Sequence, residues 1–422
     1  MPKSKISYFF QKIKNIYHLG GAIIANFYFR HPSRGIKIIG VTGTDGKTTT
    51  TALIYHILTS AGKKASYITS ISAKVAGNII ETGLHTTTPG SFFLQRLIRR
   101  AVDAGEEYFI LETTSHALDQ YRNYGIRYKL GVITNVTPEH LDYHRTYSQY
   151  LRAKAKLLLN SDVALINADD SSVAEFKKIL SKAVVPYHTY GISQKAEFMT
   201  DFRTHLERTI TDYNNLNYLA AYGACRLLGI SDGEIIPALN TFELPLGRYD
   251  VVYKGEYEVI IDFAHTSNSL LSLLGSIRRT MNKKGRLIHV FGSAGGRDFA
   301  KRPMMGAASG ANSDIVILTE EDYRQEDPER IADEIAIGLL KNGFKKVANT
   351  AEYDVPKKSY FIILDRVQAI KKAIDMARGG DTVVLTGKSH EKSLARGRRE
   401  WPWDEKEAVR QALAHKHDKT QS

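Results

Sequence analysis

Lys47 and Thr48 stand directly after a glycine-containing turn, Gly43-Thr44-Asp45-Gly46, and this grouping suits phosphate chemistry. A phosphate needs backbone N–H groups freed by glycines, the positive end of a helix dipole, a lysine at its mouth and a hydroxyl for Mg²⁺. Lys47 and Thr48 fill the last two roles. The general phosphate-loop pattern wants glycine five residues before Gly46, where this chain has Val41. A glycine-rich turn without a nucleotide is the plainer reading, but Gly-Lys-Thr behind a buried strand is a rather specific signal. Two further loops carry metal-capable groups. Glu112 opens Glu112-Thr113-Thr114-Ser115-His116, and a carboxylate at a strand end facing a phosphate loop is placed to hold Mg²⁺. Thr134 to His144 follow another apolar run and include His140, Asp142 and His144. Taken alone, such a His or Asp more often braces its loop; arrival on successive strand ends beside a phosphate loop favours ligation.

These loops need strands to present them. Ile36 to Val41 is apolar and β-branched, and Leu53, Ile54, Ile57 and Leu58 have the spacing of an amphipathic helix that Gly62 can end. Further strands are expected at Tyr108 to Leu111, Leu130 to Thr134 and Val163 to Ile166. Alternating strand and helix patterns predict an α/β fold, a P-loop parallel-sheet ATPase domain whose loaded loops converge outside the carboxyl ends of the strands. A helix is expected from Tyr213 to Leu228, ended by Gly229, and a hinge at Pro245-Leu246-Gly247-Arg248. A second series, Val259 to Asp262, Arg286 to Phe291, Asp314 to Thr319, Tyr360 to Leu364 and Thr382 to Leu385, predicts a smaller Rossmann-like C-terminal domain. The expected divisions are a helical segment over 1–34, the ATP-binding domain over 35–246, the C-terminal domain over 247–410 and a tail over 411–422, disordered from His415.

With 422 residues, 43% hydrophobic content and a net charge of +13, the chain can bury two or three cores and suits polyanionic ligands such as nucleotides. Its basic residues are scattered and no nucleic-acid motif accompanies them, so nucleic acid is not expected as a partner. The single cysteine, Cys225, excludes an internal disulfide framework, fits a reducing compartment and reads as packed core. Lys3, Lys5, Lys12 and Lys14 precede an apolar run, Leu19 to Phe29, too short to span a bilayer. It reads as a helix packed on the first domain in preference to one attached to a membrane surface.

In order along the chain, the motifs resemble those of the Mur ligase family, and most of all its MurE branch, which adds a diamino acid to UDP-N-acetylmuramoyl-dipeptide in peptidoglycan synthesis. Gly43 to Thr48 is similar to that family's own phosphate loop, valine at 41 included. Thr87-Thr88-Pro89, Glu112 to Leu118 with Gln120 and Arg122, and His140-Leu141-Asp142-Tyr143-His144 match in sequence order. Ala153-Lys154 matches a lysine carried as a carbamate; from its own residues alone, Lys154 reads as an ordinary surface lysine on the helix after Tyr147. Asn167 to Asp170, Asn214 with Asn217, Gly247-Arg248, Asp262-Phe263-Ala264-His265-Thr266, Gly292 to Asp298, Lys301-Arg302-Pro303 and Gly387 to Glu391 complete the set.

The resemblance implies ATP on Gly43, Thr44, Asp45, Gly46, Lys47, Thr48 and Thr49, with Asn214, Asn217, Arg248 and Asp262. It implies two Mg²⁺ sites served by Thr48, Glu112, His140 and carbamylated Lys154, and catalytic roles for Lys47, Lys154 and His265. Thr87, Thr88, Thr114, Gln120 and Arg122 would bind the acceptor, and Arg297, Asp322, Arg324, Gly387 and Glu391 the incoming amino acid. The implied activity is an ADP-forming acid–amino-acid ligase working through an acyl phosphate, cytoplasmic, monomeric, with hinge closure near Gly247. Two departures stand out. Relatives carry a UDP-holding domain before the phosphate loop for which too few residues are present here, leaving the acceptor's carrier open between UDP, a lipid and another group. Glu321-Asp322-Tyr323-Arg324 also replaces the Asp-Asn-Pro-Arg that reads the diamino acid, so meso-diaminopimelate, suggested by the retained Arg324, is only slightly favoured over lysine or another amino acid. The rival readings are a superfamily ligase with another acceptor, folylpolyglutamate-synthase-like or cell-wall-modifying, and a phosphotransferase or non-ligating ATPase.

Overall fold

Ile38, Ile39 and Val41 are wholly buried because their strand has an apolar layer on each side. Ile39 and Val41 face Leu53, Ile54, Ile57 and Leu58, together with the helix Asp212–Leu227, while Ile38 joins Leu94, Leu97, Ile98, Leu157 and Leu158 on the other face. Gly40 belongs to that second face and is glycine for want of room: a Cβ there would lie 2.7 Å from the Tyr128 ring and 2.8 Å from Leu157. A two-residue side-chain period, buried on both faces, is what a central parallel strand requires.

A computed structural model describes residues 3–80, 88–207, 211–348 and 355–421. The chain divides into two compact units, Met1–Pro245 and Leu246–Ser422. In chain order the first carries α1 (Lys3–Tyr28), β1 (Lys37–Thr42), α2 (Lys47–Ser60), β2 (Ala65–Ile68), β3 (Ala73–Val75), β4 (Asn78–Ile80), α3 (Ser91–Asp103), β5 (Tyr108–Glu112), α4 (Ser115–Asp119), β6 (Leu130–Ile133), α5 (Leu141–His144), α6 (Tyr147–Leu159), β7 (Ala164–Asn167) and β8 (Tyr187–Tyr190). Among the described residues its sheet runs β4-β3-β2-β5-β1-β6-β7-β8, parallel from β2 to β8. The register sets Val41 beside Glu112 and Thr42 beside Ile133. The phosphate loop therefore leaves the middle of the sheet, with Glu112 ending one neighbouring strand and the loop from Thr134 following the other. The open-sheet rule for ligand crevices locates the site here.

The second unit repeats the plan with β9 (Asp250–Lys254), β10 (Glu258–Asp262), β11 (Leu287–Phe291), β12 (Ile315–Leu318), β13 (Lys345–Lys346), β14 (Ser359–Ile362) and β15 (Thr382–Thr386). The order is β13-β14-β12-β11-β15-β10-β9, and β9 alone among these described strands pairs antiparallel. A separate ribbon, β16 (Ser393–Arg396) with β17 (Arg399–Pro402), follows β15. The fold is thus α/β, a phosphate-loop domain followed by a smaller parallel-sheet domain.

The predicted strands and the helix after Thr211 form within a residue or two of their expected ends. Short elements escaped the sequence reading: β2, β8 and the ribbon have too few alternating residues to carry a period. The segment from His415, expected to be disordered, continues the helix Glu405–Gln421. That helix is held by its far end: Arg366 and Glu405 are fully buried and paired at 2.6 Å, and Trp403 Nε1 donates to the same carboxylate at 2.8 Å. Cys225 is wholly buried in the α2 face of the first core, as expected.

Candidate active-site residues

Gly46 caps α2 at φ 81°, a conformation open to glycine, and a Cβ there would come within 2.1 Å of Asn217 Oδ1. At Gly43 a Cβ would come within 1.8 Å of Thr134 Oγ1. Both glycines thus serve close approach as well as a bare backbone. Asn135 braces the turn: its Oδ1 accepts the Asp45 N–H at 2.9 Å, its amide donates to Asp45 O at 3.2 Å, and its backbone carbonyl accepts the Thr44 N–H at 2.9 Å. Lys47 Nζ donates to Thr44 O at 2.7 Å across the turn. Thr48 Oγ1 donates to Glu112 Oε2 at 3.0 Å, and the same carboxylate oxygen accepts the Ser70 N–H at 2.9 Å. A hydroxyl and a nearly buried carboxylate at this separation are hard oxygen donors that fit Mg²⁺. Ser70 was missed from the sequence, since nothing local distinguishes it. Thr49 is buried in the first turn of α2, and Asn217 donates to Asn214 Oδ1 at 3.0 Å.

Lys154 is no surface lysine. Its side chain is 1% exposed, because on α6 it shares a face with Leu151, Ala155 and Leu158, all packed in the core. Its amine donates to Gly43 O and lies 4.5 Å from the centre of the Tyr150 ring. Among the described residues no carboxylate is within ion-pair distance of it. Burial, with Lys47 nearby, holds its pKa well below the usual lysine range. Tyr150 OH in turn meets Thr44 Oγ1 at 3.0 Å, tying α6 to the phosphate loop. His140 takes φ 55°, unusual for a non-glycine residue, and its ring lies 4.7 Å from that of His116 and 6.3 Å from that of Tyr150. Glu139 Oε2 is 3.6 Å from His140 Nε2. His144 Nε2 meets Ser115 Oγ at 3.0 Å, and burial pushes its pKa down to about 4.

Beside this cluster, Thr88 Oγ1 donates to Glu112 O at 3.2 Å and accepts the Thr114 N–H at 3.1 Å, while Arg122 donates to Thr88 O at 2.9 Å. Thr114 also caps α4 through the Ala117 N–H at 3.1 Å. Thr88, Thr114 and Arg122 are thereby held next to the metal-capable carboxylate, and Gln120 follows directly after α4. Thr87 lies outside the described residues.

In the second unit the Asp262 carboxylate accepts the N–H groups of Tyr249 and Ala264, both at 2.8 Å. The Arg248 guanidinium lies 4.5 Å from the Phe263 ring centre, and the rings of His265 and His390 each stand 4.8 Å from it. Lys301 Nζ reaches His265 O at 3.1 Å. Lys388 is fully buried and bonds both Asp322, at 2.8 Å, and Glu391. Asp322, expected to read the amino acid, accepts through Oδ1 from Lys388 and from the Ala395 N–H at 3.0 Å. Arg324 takes φ 53° and donates to Gly295 O at 3.0 Å, while Arg297 is exposed on the neighbouring loop.

Glu321, beside them, was overlooked as a site residue. Among the described residues its buried Oε2 has no hydrogen-bond partner, and a Cβ on Gly387 would lie 2.6 Å from that atom. Burial, then the neighbouring Asp322 charge, raises the Glu321 carboxyl pKa. The folded chain then binds this proton more tightly than the unfolded chain, so its contribution to stability falls as pH rises from the unfolded value through the folded one. Glu321→Gln should remove that decline. Urea unfolding of wild type and variant from about pH 4 to about pH 8 should therefore diverge as pH rises, the variant becoming relatively more stable. Parallel curves would show that the carboxyl titrates normally.

Comparison with known proteins identifies two domain types along the chain. Residues 41–225 match the Mur ligase middle domain, and residues 247–389 the Mur ligase, glutamate ligase domain. UDP-N-acetylmuramoyl-L-alanyl-D-glutamate--2,6-diaminopimelate ligase of Aquifex aeolicus is 36% identical over 404 residues, 92% of this chain and 80% of the relative. A solved structure of a ligase of the same name superposes with a TM-score of 0.57 at 27% identity, covering 90% of this chain and 79% of that one. The ligand-free folylpolyglutamate synthase/dihydrofolate synthase of Yersinia pestis shares the fold, with a TM-score of 0.68 at 16% identity over 95% of each chain. With both domain types matched in order and one relative covered over most of its length, the chain belongs to the Mur ligase family.

Proposed function

We propose that this protein is an ATP-dependent, ADP-forming ligase of peptidoglycan precursor synthesis, working in the cytoplasm. It joins an amino acid, meso-diaminopimelate ahead of lysine, to the carboxylate of a muramoyl-dipeptide acceptor. The observation that carries the reading is the grouping of Lys47, the Thr48–Glu112 pair and buried Lys154 around one phosphate loop, in a chain 36% identical to a diaminopimelate ligase.

Thr48, Glu112, His140 and Lys154 would hold Mg²⁺, Lys154 as its carbamate, which would turn a buried neutral amine into an anionic oxygen donor. Held there, Mg²⁺ would supply positive charge to neutralise the transferring phosphoryl group. The freed N–H groups of the loop and Lys47 orient ATP, joined by Asn214, Asn217, Arg248 and Asp262. Thr87, Thr88, Thr114, Gln120 and Arg122 position the acceptor, whose carboxylate attacks the γ-phosphorus as ADP departs. Arg297, Arg324, Gly387 and Glu391 hold the amino acid, with Asp322 setting the loop through Lys388. The amine then attacks the acyl carbon, phosphate leaves, and the amine's extra proton is lost. His265 lies on the Asp262-to-Thr266 loop, where a phosphate contact would assist the transfer. Positioning and charge neutralisation supply most of the rate.

ADP release with a panel of amino acids, given UDP-MurNAc-dipeptide or the same muropeptide without its nucleotide, tests the proposal. Turnover should require both an acceptor and meso-diaminopimelate or lysine. ADP release indifferent to every amino acid and acceptor would discard the ligase reading.

A further inference from the structure

The helix α1 faces its domain the wrong way round for a helix whose only task is packing. Its inner side is small or polar. Ala22 and Ala25 are wholly buried, Asn15 Nδ2 donates to Asp119 Oδ2 at 2.9 Å, and Gln11 Nε2 donates to Tyr143 OH at 3.0 Å. These bonds pin the helix and leave it unable to roll its other side inward. That other side repeats every three or four residues as Ile13, Ile16, Tyr17, Ile23, Ile24, Phe27 and Tyr28, each between 45% and 81% exposed. Phe92, itself exposed, extends the patch beyond Tyr28, at a ring separation of 6.5 Å. An apolar stripe of this extent on a soluble chain marks a contact surface.

We infer that this face docks on an anionic lipid bilayer. Charge decides between a lipid surface and other apolar partners. The first acidic residue of the chain is Asp45, whereas lysine or arginine occupies positions 3, 5, 12, 14, 30, 34 and 37. Lys14, Arg30 and Arg34 are exposed. Apolar side chains can enter the acyl boundary while flanking cations meet the headgroup phosphates, and Tyr17 and Tyr28 have the amphipathic rings that favour that depth. Among the described residues no helix is long and apolar enough to cross a membrane, so α1 lies along the surface. Its pinned inner side bonds Asp119 and Tyr143, on the segments that also carry Gln120, Arg122 and His140. Docking would therefore bring the acceptor loops up to the bilayer.

Vesicle flotation of the full chain decides the matter, using phosphatidylcholine with about a quarter phosphatidylglycerol against phosphatidylcholine alone. Wild type should float with the anionic vesicles, and its partitioning should fall more than about tenfold on neutral vesicles or in strong salt. The exposed double variant Ile16→Glu/Phe27→Glu should lose binding to a similar degree while keeping wild-type ADP release in solution and its circular dichroism. The inference is overturned if wild type stays with the soluble fraction, or if the variant binds as wild type does. It is equally overturned if sedimentation shows a dimer that the double variant dissociates, since a second copy would then cover the stripe.

Discussion

Lys154→Ala should lower kcat by about 10³-fold and leave the chain folded. The proposed carbamate would need a neutral amine: the nitrogen attacks CO₂, a C–N bond forms, and one proton is released. Lys154 meets that need through position. It is buried, it is bonded to Gly43 O and the Tyr150 face, no carboxylate among the described residues is within ion-pair distance, and its pKa is held well below the usual range. An ammonium so placed would be costly, whereas a neutral amine, or an anion neutralised by a cation, would not. Wild type exposed to ¹³C-labelled CO₂ should show a carbamate carbonyl resonance that Lys154→Ala lacks. Activity should fall in CO₂-depleted buffer and return with bicarbonate. A wild-type enzyme without the resonance, and with full activity in depleted buffer, would sink the carbamate while leaving the ligase reading standing. Stability is the needed control, since removing a buried amine also leaves a small cavity, of order 1–2 kcal/mol.

Lys388→Met should destabilise the second unit by about 3–5 kcal/mol. The lysine is fully buried and joins Asp322 to Glu391. With the cation gone, the buried Asp322 carboxylate stands beside Glu321, whose pKa is already raised partly by that same charge. The two acids, Asp322 and Glu391, raise the lysine's pKa against the opposing effect of burial. A raised folded pKa on a lysine means that the stabilisation is complete below the unfolded value near 10.5 and is lost as pH rises through the folded one. Neutral pH therefore reports the whole effect. Adding Asp322→Asn to Lys388→Met should restore part of the loss, because the uncompensated charge is removed. In ADP-release assays the KM for the amino acid should rise for both variants, since Asp322 also holds the Ala395 N–H beside Arg324. An unfolding free energy for Lys388→Met within about 1 kcal/mol of wild type in urea titration would show that the pair is solvated in solution and that this account is wrong.

Much of the site could be read without coordinates because its chemistry is local. A βα turn, its two glycines, the lysine and the hydroxyl occupy consecutive positions, and the strand before them is marked by continuous apolar burial. Once β1 is central, the crevice rule also places Glu112 and the loop after Ile133 on either side of it. Sheet order confirms that arrangement through the registers of β1 with β5 and β6.

Tertiary structure decided what depends on partners far along the chain. Lys154 looks like any helical lysine until α6 is seen to bury it against Gly43, 111 positions away. Ser70 joins Glu112 only because β2 and β5 are neighbours, 42 positions apart in sequence. Asp322 shows no buried partner in sequence until Lys388, 66 positions on, is seen bonded to it, and Glu321 is ordinary until its environment leaves Oε2 without a partner among the described residues. For α1 the local residues show an apolar run behind a basic flank, and packing shows which side faces out. A side chain's type states what it can do, whereas burial and the charges around it select its protonation state and its partner, and those are set by contacts that local sequence does not encode.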